Sequence, residues 1–129
     1  MKTSTPAQSL QAYFDAWNST DTDVCSGHLF AGCAQDVVVL DPHADRPVQG
    51  WAAVASHIAF FRERSEHRLE PTTEIDVHHG VCRVGWRLAS GDEVLSTGEL
   101  VADAASDGRL QRVVHFVDAP PPEASPSPN

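Results

Sequence analysis

The chain has 129 residues, of which 41% are hydrophobic and 21% charged, a balance typical of a single globular domain. Its formal net charge of −9 leaves no basic patch for phosphate groups, so we expect no nucleic-acid partner. No apolar run is long enough to span a bilayer, and residues 1–10 lack the apolar centre of a secretory signal. The three cysteines show no disulfide spacing, which fits reduced thiols in a cytoplasmic protein.

The first predicted helix begins after Thr5, which can cap it together with Gln8, while Pro6 fits its first turn. Four apolar residues then recur at helical spacing and form one face: Leu10, Tyr13, Phe14 and Trp17. Tyr13 and Trp17 lie one turn apart, so their rings point to the same side. A weaker second helix is predicted over residues 24–33, where two glycines lower the propensity.

The stretch that follows is a short buried strand, residues 37–40, that runs directly into Asp41 and Pro42. Pro42 removes a backbone donor, ends the strand and favours an extended or turn conformation at Asp41. Two interpretations of Asp41 are open at this point. It starts a turn, as aspartate before proline often does, or it is a carboxylate whose pKa desolvation raises toward that of a working general base.

A third helix is predicted over residues 51–64, followed by a break at Pro71 and a run of strands. The strands cover residues 75–77, 81–88, 93–102 and 109–118, separated by glycine-containing turns. In the last strand, the alternation places Val113, His115 and Val117 on one face. For residues 81–88, the alternation does not decide whether Arg83 or its apolar neighbours face inward. Residues 119–129, rich in proline and serine, are expected to be a disordered tail.

Helices followed by long antiparallel strands indicate an α+β fold. A twisted sheet of this size curls, and the three helices of the N-terminal half can cover its concave side. The expected shape is a cone with an apolar pocket, formed by one domain over residues 1–118.

Several segments in this order resemble one family: AYFDAW on the first helix, VVVLDP on the first strand, QGWAAVASHIAFF on the third helix, then HHGVCRVGW and DGRLQRVVHF. They are similar to the nuclear transport factor 2-like superfamily, and within it to SnoaL-like and ketosteroid isomerase-like proteins. The resemblance covers residues 8–118 and implies a cystatin-like α+β barrel. The superfamily hosts isomerases, cyclases, hydrolases, dehydratases and binding modules, so the fold alone does not give the reaction.

The resemblance implies roles for individual residues. Tyr13 matches the tyrosine that donates a hydrogen bond to the developing oxyanion, and Asp41 matches the aspartate that moves a proton between carbon atoms. The position of the protonated aspartate that completes the oxyanion hole holds Leu100, and losing one such donor typically costs about 100- to 1000-fold in rate. His115, facing inward, is the candidate to replace it, because histidine can act as an acid, a base or a neutral donor. The alternative is that His115 lies at the rim of the pocket, hydrogen-bonds to water and has no catalytic role.

We therefore predict Asp41, Tyr13 and His115 as catalytic residues. The predicted substrate-binding residues are Trp17, Trp51, Val54, His57, Ile58, Phe61, Arg83, Leu100, Val113 and Val117. No metal-ligand spacing is present, and no cofactor is expected. The favoured function is a cofactor-independent isomerase or cyclase with an aspartate base and a small apolar carbonyl substrate; a hydrolase or dehydratase using the same pocket and a non-catalytic binding module remain alternatives. The resemblance also implies a homodimer formed through the sheet.

Overall fold

The computed structural model describes residues 5–63 and 66–118, so the predicted tail at 119–129 lies outside the described residues. The helices are α1 (Pro6–Asn18), α2 (Thr22–Gly32) and α3 (Trp51–Arg62). The predicted capping box of α1 is confirmed, with Thr5 and Gln8 satisfying each other's backbone N–H groups. Asp21 caps α2, which therefore begins two residues earlier than predicted.

Seven strands form one sheet, and their bounds are β1 (Cys33–Leu40), β2 (Val48–Gln49), β3 (Arg68–Pro71), β4 (Asp76–His78), β5 (Val81–Ser90), β6 (Glu93–Ala104) and β7 (Leu110–Val117). The order is β2-β1-β7-β6-β5-β3, with β4 also paired to β5. Neighbours are antiparallel except β1 and β7, which run parallel. Three helices on a curved, open, mixed sheet make the predicted cone-shaped α+β fold. None of the helices in the described part of the chain has the length and hydrophobicity of a membrane span.

The core lies between the helices and the concave face of the sheet. Its sheet side is made by alternating residues of the three central strands: Cys82, Val84, Trp86, Leu100, Ala102 and Val113. The predicted alternation of β7 is confirmed, because Val113 and His115 are buried while Phe116 is exposed. The structure also shows which face of β5 points inward, a question that the sequence left open. Its apolar residues face the core and its arginines face outward.

The outer face of the sheet carries paired charges. Arg83 contacts Asp76 at 3.1 Å and Glu99 at 3.7 Å, and Arg112 contacts Asp103 at 3.0 Å. Arg83 was predicted to bind substrate, and this prediction is wrong because its side chain points away from the concave face. Homodimerisation through the sheet stays a prediction.

Gly98, in β6, allows two neighbouring groups to approach the strand closely. A Cβ atom at this position would overlap the carbonyl oxygen of Phe116 and the indole ring of Trp86. The missing side chain therefore lets the large ring of Trp86 pack closely against the neighbouring strand at Gly98. Trp86 in turn forms part of the cavity described next.

Candidate active site

A small cavity of about 50 Å³ opens between the helices and the concave face. Its walls are mostly aromatic and aliphatic, with one carboxylate and three imidazoles: Trp17, Asp41, His43, Phe61, His67, Leu69, Trp86, Leu88, His115 and Val117. Asp41 and His115 also border a wider open depression of about 500 Å³ between residues 40–47 and β7. The two ionisable groups therefore lie where the narrow space meets the open one.

Asp41 directly follows β1, and two histidines hold its carboxylate. His57, from α3, places its Nε2 atom 2.9 Å from Oδ2. His43 donates its backbone N–H to Oδ1 at 2.9 Å, which forms the tight turn expected after an aspartate, and its ring Nδ1 lies 3.0 Å from the same oxygen. The Asp41 side chain is only 5% exposed. It is thus both part of a turn and buried at the cavity, so the turn position does not exclude a place in the site.

The expectation that desolvation raises the pKa of Asp41 is wrong in its net direction. Burial does raise the pKa, but the hydrogen bonds from His57 and from the His43 backbone, together with the nearby His115 and the His43 ring, outweigh it. The pKa of Asp41 is held well below its ordinary value. The carboxylate is therefore ionised at every pH at which the protein would work.

His115, on β7, is joined to Tyr13 on α1. The Tyr13 hydroxyl lies 2.7 Å from His115 Nε2, and Tyr13 is fully buried. Burial raises the pKa of Tyr13 well above its ordinary value. His115 Nε2 is the hydrogen-bond partner that the structure shows for this buried hydroxyl, and an O–H proton without an acceptor would be costly, which favours the Tyr13 hydroxyl as the donor to His115. Tyr13 therefore does not line the cavity itself, but its hydroxyl is bonded to His115, which does.

Burial also determines the charge of His115. It lowers the pKa of His115 to about 4; Asp41 opposes this shift, whereas His57 and His43 add to it. The ring is therefore neutral near pH 7. With Nε2 accepting from Tyr13, its single proton is on Nδ1, and this N–H group is the one available to the cavity.

The sequence matches no protein-family model and no curated protein. Solved structures do match. A proposed isomerase of the SnoaL-like family from Agrobacterium tumefaciens is 26% identical with a TM-score of 0.79, over 86% of this chain and 95% of that one. This chain has the fold of SnoaL-like, nuclear transport factor 2-like proteins.

Two further solved structures have the same fold as this chain. A proposed polyketide cyclase from Sinorhizobium meliloti is 24% identical, with a TM-score of 0.66 over 84% of this chain and 93% of that one. A proposed ketosteroid isomerase from Kribbella flavida is 22% identical, with a TM-score of 0.68 over 98% of this chain and 85% of that one. Both show the shared fold.

The predicted site residues of this chain fall into three groups. Five line the cavity: Trp17, Asp41, Phe61, His115 and Val117. Two lie directly behind these, namely Tyr13 against His115 and His57 against Asp41. The remaining predicted residues do not contact the cavity.

Five of those remaining residues lie in the core or at the start of α3, away from the cavity. The substrate-binding role predicted for them is therefore wrong. Four are core residues with 0–1% exposure: Val54, Ile58, Leu100 and Val113. Trp51 starts α3, donates its indole N–H to the carbonyl of Cys33 at 2.9 Å and packs against Phe30 with the ring planes tilted by 56°. The correct face was predicted for most of them, but the helices pack so closely on the sheet that only the residues near its open end reach the cavity.

Five cavity residues were missed: His43, His67, Leu69, Trp86 and Leu88. Trp86 and Leu88 belong to the face of β5 that the sequence left undecided. His43 had a usable signal, because an Asp-Pro turn brings the residue two positions after the aspartate back to the carboxylate.

The lowered pKa of His115 gives the stability of the protein a pH dependence. In the unfolded chain the imidazole binds its proton near pH 6.5, but in the folded chain only near pH 4. Between these values the unfolded state binds more protons, so the free energy of unfolding falls as the pH is lowered. This group alone contributes a slope approaching about 1.4 kcal/mol per pH unit. When the free energy of unfolding is measured by urea unfolding at several pH values in this range, it should depend less steeply on pH in His115→Gln than in the parent. An equal pH dependence in the two proteins would contradict the assignment.

Proposed function

We propose that this SnoaL-like protein is a cofactor-independent isomerase or cyclase that moves a proton next to the carbonyl group of a small, largely apolar substrate. One observation carries the proposal: an ionised carboxylate, Asp41, and a neutral imidazole, His115, line the same small cavity with otherwise mostly apolar walls. Carbanion chemistry needs this combination, a site that accepts a proton beside a donor for the oxygen that becomes negative.

The two halves of the site have different tasks in this reaction. The Asp41 side supports removal of a proton from the carbon next to the carbonyl. The electron pair moves into the carbonyl, and the Nδ1–H group of His115 donates a hydrogen bond to the resulting enolate oxygen. A neutral imidazole suits this task because it can donate a hydrogen bond and still keep its proton. Triosephosphate isomerase polarises a substrate carbonyl with a neutral histidine in the same way.

The dimensions of the site bear on the substrate class. A cavity of about 50 Å³ holds only the reacting end of a molecule. The wider depression bordered by the same two residues can take the remainder. The neighbours named as proposed isomerase and cyclase support a carbonyl substrate of this kind.

Deuterium exchange tests the proposal directly. Acetone and cyclopentanone are incubated with the protein in D2O near neutral pH, and loss of the signal of the protons next to the carbonyl is followed by proton NMR. We expect exchange faster than in buffer, abolished by heat denaturation. If neither ketone exchanges above the buffer rate, the proposal is wrong for this substrate class. Binding without exchange would instead favour the binding module.

A further inference from the structure

His43 is in the loop after β1 and was not among the predicted site residues. Its ring contacts Asp41 through Nδ1, and its edge packs against Phe61 with 5.5 Å between ring centroids. The side chain is 57% exposed yet lines the cavity. His43 is thus held in place on one side and reaches both the substrate space and bulk water on the other.

The hydrogen bonds determine which nitrogen of His43 carries the proton. An ionised carboxylate can only accept, so the Nδ1 atom that faces Asp41 must be protonated. In the neutral ring, Nε2 then has a free lone pair. Nε2 is the ring nitrogen that is not bonded to Asp41, and it belongs to a side chain that lines the cavity and is more than half exposed. The arrangement of an imidazole oriented by a carboxylate is the one that general-base catalysis uses on unrelated folds.

Asp41 is poorly suited to take the proton itself. Three donors already occupy its oxygens, the Nε2–H group of His57 and two N–H groups of His43. These bonds stabilise the charged form, which makes the carboxylate a weaker base. They also fix the position of the carboxylate between α3 and the loop.

From this geometry we propose that His43 takes the proton from the substrate at its Nε2 atom. Asp41 is then a positioning residue, which orients the His43 ring and stabilises its protonated form. This inference rests on the proposed function and assigns the base within it. In the step, the substrate C–H bond breaks and the Nε2–H bond forms. The electron pair of the C–H bond forms the C=C bond of the enolate, and the π pair of the carbonyl moves onto the oxygen. The imidazolium, stabilised by Asp41, then returns the proton to another carbon of the substrate.

Kinetics of exchange give the first test. His43→Gln should lower the rate of cyclopentanone exchange by about 100-fold, the lower end for general-base catalysis, with little change in KM. His43→Ala keeps the backbone N–H bond to Asp41, so the turn should stay intact. Because the ring position is exposed, added imidazole should restore activity to His43→Ala. The control is His28→Gln, on α2, with the parent rate expected. A folded His43→Gln variant with the parent rate, or a folded His43→Ala variant without rescue, would overturn the assignment.

A measurement without substrate separates this inference from the proposed function. Long-range 1H–15N NMR distinguishes the two neutral forms of a histidine ring. We expect His43 in the Nδ1–H form in the parent, and a change in this form in Asp41→Asn, where the anionic acceptor is gone. Should His43 carry its proton on Nε2 in the parent, no lone pair would face the cavity and the inference would fail, whatever the ketones show.

Discussion

Asp41→Asn should reduce ketone exchange by about 100- to 10,000-fold, the range that positioned general-base catalysis contributes. The amide has nearly the shape of the carboxylate but no charge, and one of its two polar atoms is a donor. It therefore cannot accept from His57 at Oδ2 and from His43 at Oδ1 at the same time. The imidazolium formed when the proton is taken would also lose its stabilising anion. The readout is the exchange rate of cyclopentanone at saturating and subsaturating concentration, with the loss expected in kcat.

The matched control is Asp36→Asn, which makes the same change at an exposed position on β1, the strand that precedes Asp41. It alters the net charge equally and should keep the parent rate. If both variants lose activity equally, the effect comes from the overall charge rather than from the site. If Asp41→Asn keeps the parent rate while still folded, neither Asp41 nor a group that it holds takes part in the reaction.

Gly98→Ala should lower the free energy of unfolding by about 3 kcal/mol or more, a severe case of overpacking. The added methyl group would overlap the carbonyl oxygen of Phe116 and the ring of Trp86. The oxygen belongs to the adjacent strand and cannot rotate away, so β6 and β7 must separate locally. For a domain whose total stability is of the order of 5–15 kcal/mol, this is a large fraction. Urea unfolding measures it, and the displaced Trp86 ring should also lower ketone exchange.

Gly27→Ala is the control with the opposite sign. Gly27 lies in α2, is exposed, and has nothing within 4 Å of the position that a Cβ would take. Replacing a helix glycine by alanine should therefore raise the free energy of unfolding by about 0.5–1 kcal/mol. A Gly98→Ala variant as stable as the parent would show that the strands are more loosely paired than the structure indicates.

Local features of the fold could be predicted because they depend on nearby residues. The cap of α1, the strand before Asp41 and the alternation of β7 all follow from spacing and side-chain chemistry. β3 was missed because Pro71 was interpreted as a break. It lies instead at the end of an edge strand, where the missing N–H group is tolerated. The parallel pairing of β1 with β7 has no local signal, since periodicity does not identify a partner strand.

The site was predictable only in part, for a similar reason. The strand-to-proline context pointed to Asp41, and the alternation of the last strand pointed to His115. The direction of the Asp41 pKa was wrong because the sequence indicates burial but not the donors that meet the carboxylate, one of which comes from α3. Tyr13 was placed on the correct helix face, but its bond to His115 spans 102 positions and depends on the finished sheet.

The parallel contact between β1 and β7 also determines when the protein can first act. Strand β7 is the last element of the described chain, and Asp41 meets His115 only after it has paired with β1. A nascent chain whose β7 segment has not yet left the ribosome would contain the segments of all three helices but no working pair of groups. Joining such distant segments is entropically costly and slow. Competence should therefore appear late in folding and in one step, rather than growing with the length of chain synthesised.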